Sequence, residues 1–360
     1  MNLAGFEIDD AIVMPVKHDY GIGIVGCGGI VNYAHLPAYR KHGLNVLACF
    51  DQDPEAAAKT AREHAIPCAV ASLDELLADP AVEIVDIAVT PWAQAEIAER
   101  VIAAGKHLLC QKPLGMEYAT AKRLVDRARE AGVVLAVNQQ MRWDAGIRVS
   151  KQLLRQGALG DVADARIEVS IRTPWHMWPW IAQSERLEVM YHSIHYLDSI
   201  RYLFGDPVAV TARHAKWPGQ PEVGETRTMT ILDYPGDLRV SVDVNHHNWS
   251  EDAYARFRWL GTEGIVEGTL GLLYDYPAGR VDTLRYQPNR QPLEWHEARL
   301  STWWIPDAFA GPMASLMEAI QTGKPPVTAG AETIGTIAAV LAAYRSAAEG
   351  RTVRLEEITG

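Results

Sequence analysis

The segment Tyr20–Val31, YGIGIVGCGGIV, restricts this 360-residue chain more than any other. Ile22, Ile24 and Val25 make a short apolar strand, and Gly26 permits a tight turn after it. Gly28 lets a phosphate approach the backbone closely. A helix predicted from about Gly29 to His42 then points its unpaired N–H groups and positive end at that phosphate, with Cys27 and Ile30 lining the same turn. A second apolar run, Val46–Phe50, ends at Asp51, where a carboxylate accepts from the ribose hydroxyls of a dinucleotide. The third glycine position holds Val31. A glycine-rich loop by itself is most often an ordinary turn, but strand, loop, helix and acid in this order predict a dinucleotide cradle. Asp51 would repel a 2′-phosphate, and Gln52-Asp53-Pro54 offers no arginine to receive one, so NAD is expected over NADP.

The net charge of −11 argues against nucleic-acid and anionic-membrane partners. The apolar stretch around Ile334–Tyr344 is too short to span a bilayer. Residues 1–19 carry Glu7, Asp9 and Asp10 instead of a basic start and apolar core, so a cytoplasmic location is expected. Cys27, Cys49, Cys68 and Cys110 lie in or beside apolar strands without metal-site spacing and read as buried free thiols.

Strand-like runs at 20–25, 45–50, 83–89, 107–110 and 133–137 alternate with helical patterns as far as Val137. That alternation predicts an α/β fold that begins with a doubly wound parallel sheet, its ligand at the carboxyl ends of the strands. Helical patterning continues over Ala145–Gln156 and Val189–Leu203. Runs at 162–172, 208–216, 226–233, 238–245, 254–260, 281–287 and 293–300 then alternate in character and predict a mostly antiparallel sheet. Helices are expected over Phe309–Gln321 and Glu332–Ala348. The expected division is a dinucleotide-binding domain over 1–140 and a substrate-binding and oligomerisation domain over 141–360.

The segment Ala104–Gly115, AGKHLLCQKPLG, resembles the "AGKHVLCEKP" segment of the glucose–fructose oxidoreductase / inositol dehydrogenase / rhizopine-catabolism (Gfo/Idh/MocA) family. GIVGCGGI with HLPAY, VTP at Val89–Pro91, HSIHYLDSIRYLFG at His192–Gly205 and AAYRSAAEGRTVRL at Ala342–Leu355 also match, in the family's order. The resemblance implies a Rossmann domain and a C-terminal α/β domain on an open, mostly antiparallel sheet. It implies NAD(P)-dependent oxidation or reduction of a sugar, polyol or derivative, with Thr90, Pro91 and Gln111 at the cofactor. It also implies pairing of open sheets face to face, in a homodimer or homotetramer.

Moving a hydride from a secondary alcohol needs a proton acceptor and a group that stabilises the developing alkoxide. Lys112, just past the fourth run at the nicotinamide edge, can hold the reacting oxygen; the alternative is a solvated surface lysine. His195 is the candidate for proton transfer. It lies on a helical run that brings Glu188, Tyr191, His192 and Asp198 near one face, and the resemblance assigns it the catalytic role; the alternative is a hydrogen-bonded core histidine. Two departures stand out. Gln111 replaces the family's usual glutamate and cannot support the lysine's charge; Tyr191 replaces an aspartate and is not an anion at neutral pH. Tyr191 or His192 would assist His195. The departures also allow a silent sensor of NAD and sugar, or an enzyme that uses tightly bound NAD for transient oxidation.

Gln140, after the fifth run, faces the nicotinamide carboxamide or a substrate hydroxyl, or else caps a turn. Arg142 serves the substrate or the domain junction. Trp175, Trp178 and Trp180 share one loop, and Trp180 resembles a substrate-loop position; indoles there suit sugar rings or subunit contacts equally. His192 and His195 with His246 and His247 have some chelating geometry, but no carboxylate or cysteine finishes the shell, so no metal is expected.

Overall fold

A computed structural model describes all 360 residues. They divide into two compact units. One comprises Ile12–Gln140 with Ile305–Ile337, and the other comprises Met1–Ala11, Met141–Trp304 and Ala338–Gly360.

The first unit is built on six parallel strands, β1 (Ile22–Val25), β2 (Val46–Phe50), β3 (Cys68–Ala69), β4 (Ile84–Ile87), β5 (His107–Cys110) and β6 (Leu135–Val137). They lie in the order β3-β2-β1-β4-β5-β6, the Rossmann order. Strands β1, β4 and β6 are buried along their whole length, as strands covered on both faces must be, which is why they are continuous apolar runs. Asp86 is the exception within β4 and is fully buried. The strand order reverses between β1 and β4, so their carboxyl ends open the crevice where ligands bind in sheets of this kind.

Two segments depart from the division at residue 140. Ile305–Ile337, expected in the C-terminal domain, belongs to the Rossmann unit. Its Thr328 carbonyl accepts from the Val137 N–H at 2.9 Å, and Ala329 bridges Ala136, extending the sheet beyond β6. Residues 1–11 belong to the other unit. There the amide of Gln152 bonds both N–H and C=O of Asp9, at 2.8 and 2.6 Å. The Asp10 carboxylate accepts from the N–H groups of Ser301 and Thr302 at 2.5 and 2.8 Å.

The large sheet of the second unit has nine strands: β7 (Val162–Ser170), β8 (Ala209–Ala215), β9 (Arg227–Asp233), β10 (Arg239–Asn245), β11 (Tyr254–Gly261), β12 (Gly264–Thr269), β13 (Leu284–Pro288), β14 (His296–Glu297) and β15 (Val353–Arg354). Their order is β14-β13-β12-β11-β7-β10-β9-β8-β15, antiparallel throughout except for the β7–β10 pair. Strand β12 is absent from the sequence prediction, because its two glycines mask an alternation of buried and half-buried residues. The run expected over 293–300 contributes only the short β14.

One sheet face packs under helices Ala145–Arg155 and Ile194–Phe204. Phe257 and Trp259 stack there at 5.1 Å, and the indole N–H of Trp259 donates to Ser150 Oγ at 3.0 Å. Gly146 is required at that contact, since a Cβ would come within 2.9 Å of the Phe257 ring. The other face carries a charged lattice in which Arg256 pairs with Glu168, and Arg258 and Arg285 share Glu267. Met229 and Ile231 point outward from β9, 52% and 42% exposed.

Candidate active site

Gly26 follows β1 with φ of +97°, and a Cβ there would lie 2.4 Å from the Ala88 carbonyl at the end of β4. This glycine is therefore required twice, for its backbone conformation and for the close approach of the two strand ends. Beyond it the loop opens: a Cβ on Gly28 would meet nothing within 4 Å, leaving room for a phosphate. Gly29 and Ile30 begin the helix, which runs through a π turn at Val31–His35 into Leu36–Lys41. Asp51 accepts the Cys27 N–H at 2.7 Å and the Asp53 N–H at 2.9 Å, so its carboxylate both faces the loop and ties it down.

Thr90 precedes the helix Pro91–Ala103 at the end of β4, and Gln140 begins the turn Gln140–Trp143 beyond β6. The Gln140 Oε1 is buried and finds no hydrogen-bond partner in the chain. A buried amide oxygen in that state calls for an incoming N–H, which a nicotinamide carboxamide provides. Together the open loop at Gly28, the oriented Asp51 and the waiting amide fit NAD. Cys27, Cys49 and Cys110 are buried free thiols; Cys68, expected with them, is exposed because β3 lies at the sheet edge.

Lys112 emerges at the end of β5, and its main chain is bracketed. Buried Gln94 donates from one amide nitrogen to the carbonyls of Gln111 and Pro113, at 2.8 and 2.9 Å. The Gln111 side chain folds back so that its Oε1 accepts the Lys112 N–H at 2.8 Å. The lysine is only half-buried by surface area, yet enough protein surrounds its ammonium that desolvation pushes the pKa down to about 7. A lysine so placed is not an ordinary solvated one.

In the second unit His195 begins the regular part of a buried helix, just after a π turn over Val189–Ser193 that contains Tyr191 and His192. Insertions of this kind recur at functional sites because they re-aim side chains. His195 is 7% exposed and meets the Trp304 ring edge-on at 5.7 Å. Tyr191 packs edge-on against Trp180 at 5.2 Å and also bonds Ser184; burial raises its pKa. His192 faces Trp175, Trp178 and His246, at 5.0, 6.3 and 4.8 Å. Trp178 also packs on Tyr276. His247 turns the other way, to Glu222 and Trp217.

Two of the acids that share the helical face hold the scaffold. Asp198 takes Arg142 in a bidentate pair, both contacts at 2.7 Å and both side chains buried. Arg142, expected at the substrate or the junction, is thus anchored to the His195 helix. Glu188 is buried and accepts from Ser193 at 2.6 Å and Thr228 at 2.5 Å, with His246 at 3.5 Å. Burial alone would raise its pKa, but these partners outweigh burial and hold the carboxyl below its usual range.

Sequence reasoning did not single out Gln94, or the cluster in which buried His35 links Asp86 to Gln111 and Asn138. An aspartate inside the apolar run Ile84–Ile87 was the available signal, since a buried charge demands a partner.

A parallel Rossmann sheet with an open glycine cradle, followed by a large open antiparallel sheet, defines a dinucleotide-dependent oxidoreductase of two units. Residues 20–139 match the family described as an oxidoreductase family with an NAD-binding Rossmann fold, and residues 147–267 match the C-terminal domain of the same family. The chain belongs to the Gfo/Idh/MocA family of NAD-binding oxidoreductases. It is 29% identical to a D-apiose dehydrogenase of Paraburkholderia graminis, over 98% of this chain and 94% of that protein. It is 28% identical to a 1,5-anhydro-D-fructose reductase of Ensifer adhaerens, over 93% of this chain and 98% of the other. Among solved structures, an oxidoreductase of Agrobacterium radiobacter in complex with NAD+, L-tartaric acid and magnesium superposes with a TM-score of 0.84 at 25% identity, covering 94% of this chain and 99% of its own. No helix here is long and apolar enough to cross a membrane.

Proposed function

We propose that this oxidoreductase transfers a hydride between NAD and a secondary alcohol or ketone of a sugar, polyol or sugar derivative. The observation that carries this reading is Lys112, anchored at the carboxyl end of β5 and brought by burial to a pKa of about 7. The nicotinamide, when bound, supplies the hydride acceptor or donor. Lys112 holds the reacting oxygen and eases its deprotonation, and His195 exchanges the hydroxyl proton, with Tyr191 or His192 assisting. The sugar class is supported by relatives named for D-apiose and 1,5-anhydro-D-fructose. Trp180, beside Tyr191, would serve the flat face of such a ring.

Asp51 would receive the adenosine ribose diol, and Asp51→Ala should narrow the preference for NAD over NADP. Equal binding of both cofactors by the wild type, read by titration, would remove Asp51 from this role. Screening sugars and polyols for NADH formation tests the reaction, and His195→Ala and Lys112→Ala should each abolish most of it. Full turnover in both variants would overturn the assignment. The outward Met229 and Ile231 amid the charged lattice support pairing of the open sheet with a second copy. Light scattering on the wild type and on Ile231→Glu tests that pairing, and an unchanged mass in the variant would exclude this face. A cytoplasmic location is proposed alongside, and fractionation of the source cell tests it.

A further inference from the structure

Lys112 hangs from a run of hydrogen bonds whose polarity leaves one solution. The Gln111 Oε1 accepts the Lys112 N–H at 2.8 Å, which turns the Gln111 amide nitrogen towards His35 Nε2 at 3.2 Å. An amide nitrogen only donates, so His35 Nε2 is the bare, accepting nitrogen. The imidazole proton then sits on Nδ1, which donates to Asp86 Oδ2 at 2.7 Å. The same carboxylate oxygen accepts the Tyr39 hydroxyl at 2.6 Å.

Turning the Gln111 amide over would set a donor against the Lys112 N–H. Asn138 also reaches His35 Nε2, at 3.1 Å, but its own Oδ1 lacks a partner, so it can present either atom and decides nothing. The tautomer rests on Gln111. The groups facing His35 are Asp86, Tyr39, Gln111, Asn138 and the Phe309 ring at 5.0 Å.

We infer that Gln111 is a positioning residue that fixes His35 as a neutral imidazole protonated at Nδ1, keeping the cluster's negative charge on Asp86 and away from Lys112. The inference rests on the role proposed for Lys112. A glutamate at 111, the residue that the resemblance leads one to expect, would accept from both the Lys112 N–H and His35 Nε2, placing a second proton on the imidazole. Asp86, imidazole and amide sum to one negative charge; Asp86, imidazolium and glutamate also sum to one. The exchange moves the charge from the far end of the cluster to the residue beside Lys112 and leaves its total unchanged. The pKa values of Tyr39 and Cys110, which share the Asp86 end, are both raised, by burial first and by the Asp86 charge second.

The test is 15N NMR of the full-length protein with labelled histidine, the His35 ring assigned by loss of its signals in His35→Gln. At neutral pH, with and without NAD, the wild type should show one protonated and one bare nitrogen, the proton on Nδ1. Gln111→Glu should show two protonated nitrogens, and its Lys112 titration midpoint, read from the pH dependence of unfolding, should move up by about one unit, the scale of a new carboxylate beside an amine. Two protonated nitrogens in the wild type, or a proton on Nε2 there, would overturn the inference whether or not the variant folds. An unmoved midpoint in a variant with the expected NMR signature would overturn the placement of charge. Wild type without turnover on any sugar would sink the proposed function instead, while the tautomer would still be read.

Discussion

The surroundings of Lys112 and of His195 are built on opposite electrostatic plans. Around Lys112 the main chain is gripped by neutral amides, Gln94 and Gln111, and burial alone brings the ammonium towards neutrality. Around His195 the helix is fixed by buried full charges, Arg142 with Asp198 on one turn and Glu188 with its hydroxyl donors on another. An amine poised between its charged and neutral forms is best held by dipoles, because a fixed charge at its side would set its state. The helix that carries His195 tolerates buried charges, provided each is paired.

The largest effect should come from the chemistry itself. Lys112→Ala should lower turnover by about 10² to 10⁴ while NAD affinity, measured by titration, stays nearly constant. Wild-type turnover would return Lys112 to a surface role and dissolve the contrast. Next comes the charged side. Asp198→Asn leaves the buried Arg142 guanidinium without its counter-ion and should cost about 3–5 kcal/mol in urea unfolding. A loss below 1 kcal/mol would mean the pair is not what anchors the helix. The neutral side should respond more gently: Gln94→Leu removes the donor to two carbonyls and should cost about 1–3 kcal/mol, with kcat falling more than KM rises. An unchanged kcat would show that the bracket serves folding alone.

The finest test is pH. The native lysine titrates at about 7 against an ordinary value of 10.5, so between those values the unfolded chain carries a proton that the native protein lacks. Stability should therefore rise with pH across that window, and Lys112→Met should flatten the rise. A flat stability profile in the wild type would restore an ordinary charged lysine.

What the sequence disclosed follows from how local each feature is. The glycine cradle and Asp51 were legible because turn, helix start and acid lie within one βαβ unit. Most strands of both sheets were legible from period alone; β12, whose Gly264 and Gly268 interrupt the alternation, was not, nor were β3 and β15, whose two residues are too few to show one. Lys112 and His195 were legible through the motifs around them. The grip of Gln94 on Gln111 and Pro113, and the partnership of Glu188 with Thr228 and His246, join residues far apart in sequence and leave no periodic trace. The placement of Ile305–Ile337 was hidden for the same reason: its helices have ordinary patterns, and only the bonds from Ala136 and Val137 reveal which sheet they extend.

The interleaving of the two units has a consequence for how the protein is made. As the chain leaves the ribosome, the Rossmann sheet has all six of its strands by Val137, yet the backbone that continues it past β6 arrives only with Thr328 and Ala329. Through nearly two hundred intervening residues of synthesis that edge stays exposed, and Asp10 likewise waits for Ser301 and Thr302. Neither unit is complete until segments made long after its first strands, Ile305–Ile337 for one and Ala338–Gly360 for the other, have emerged, so the nascent protein depends on chaperoning, or on speed, through that interval.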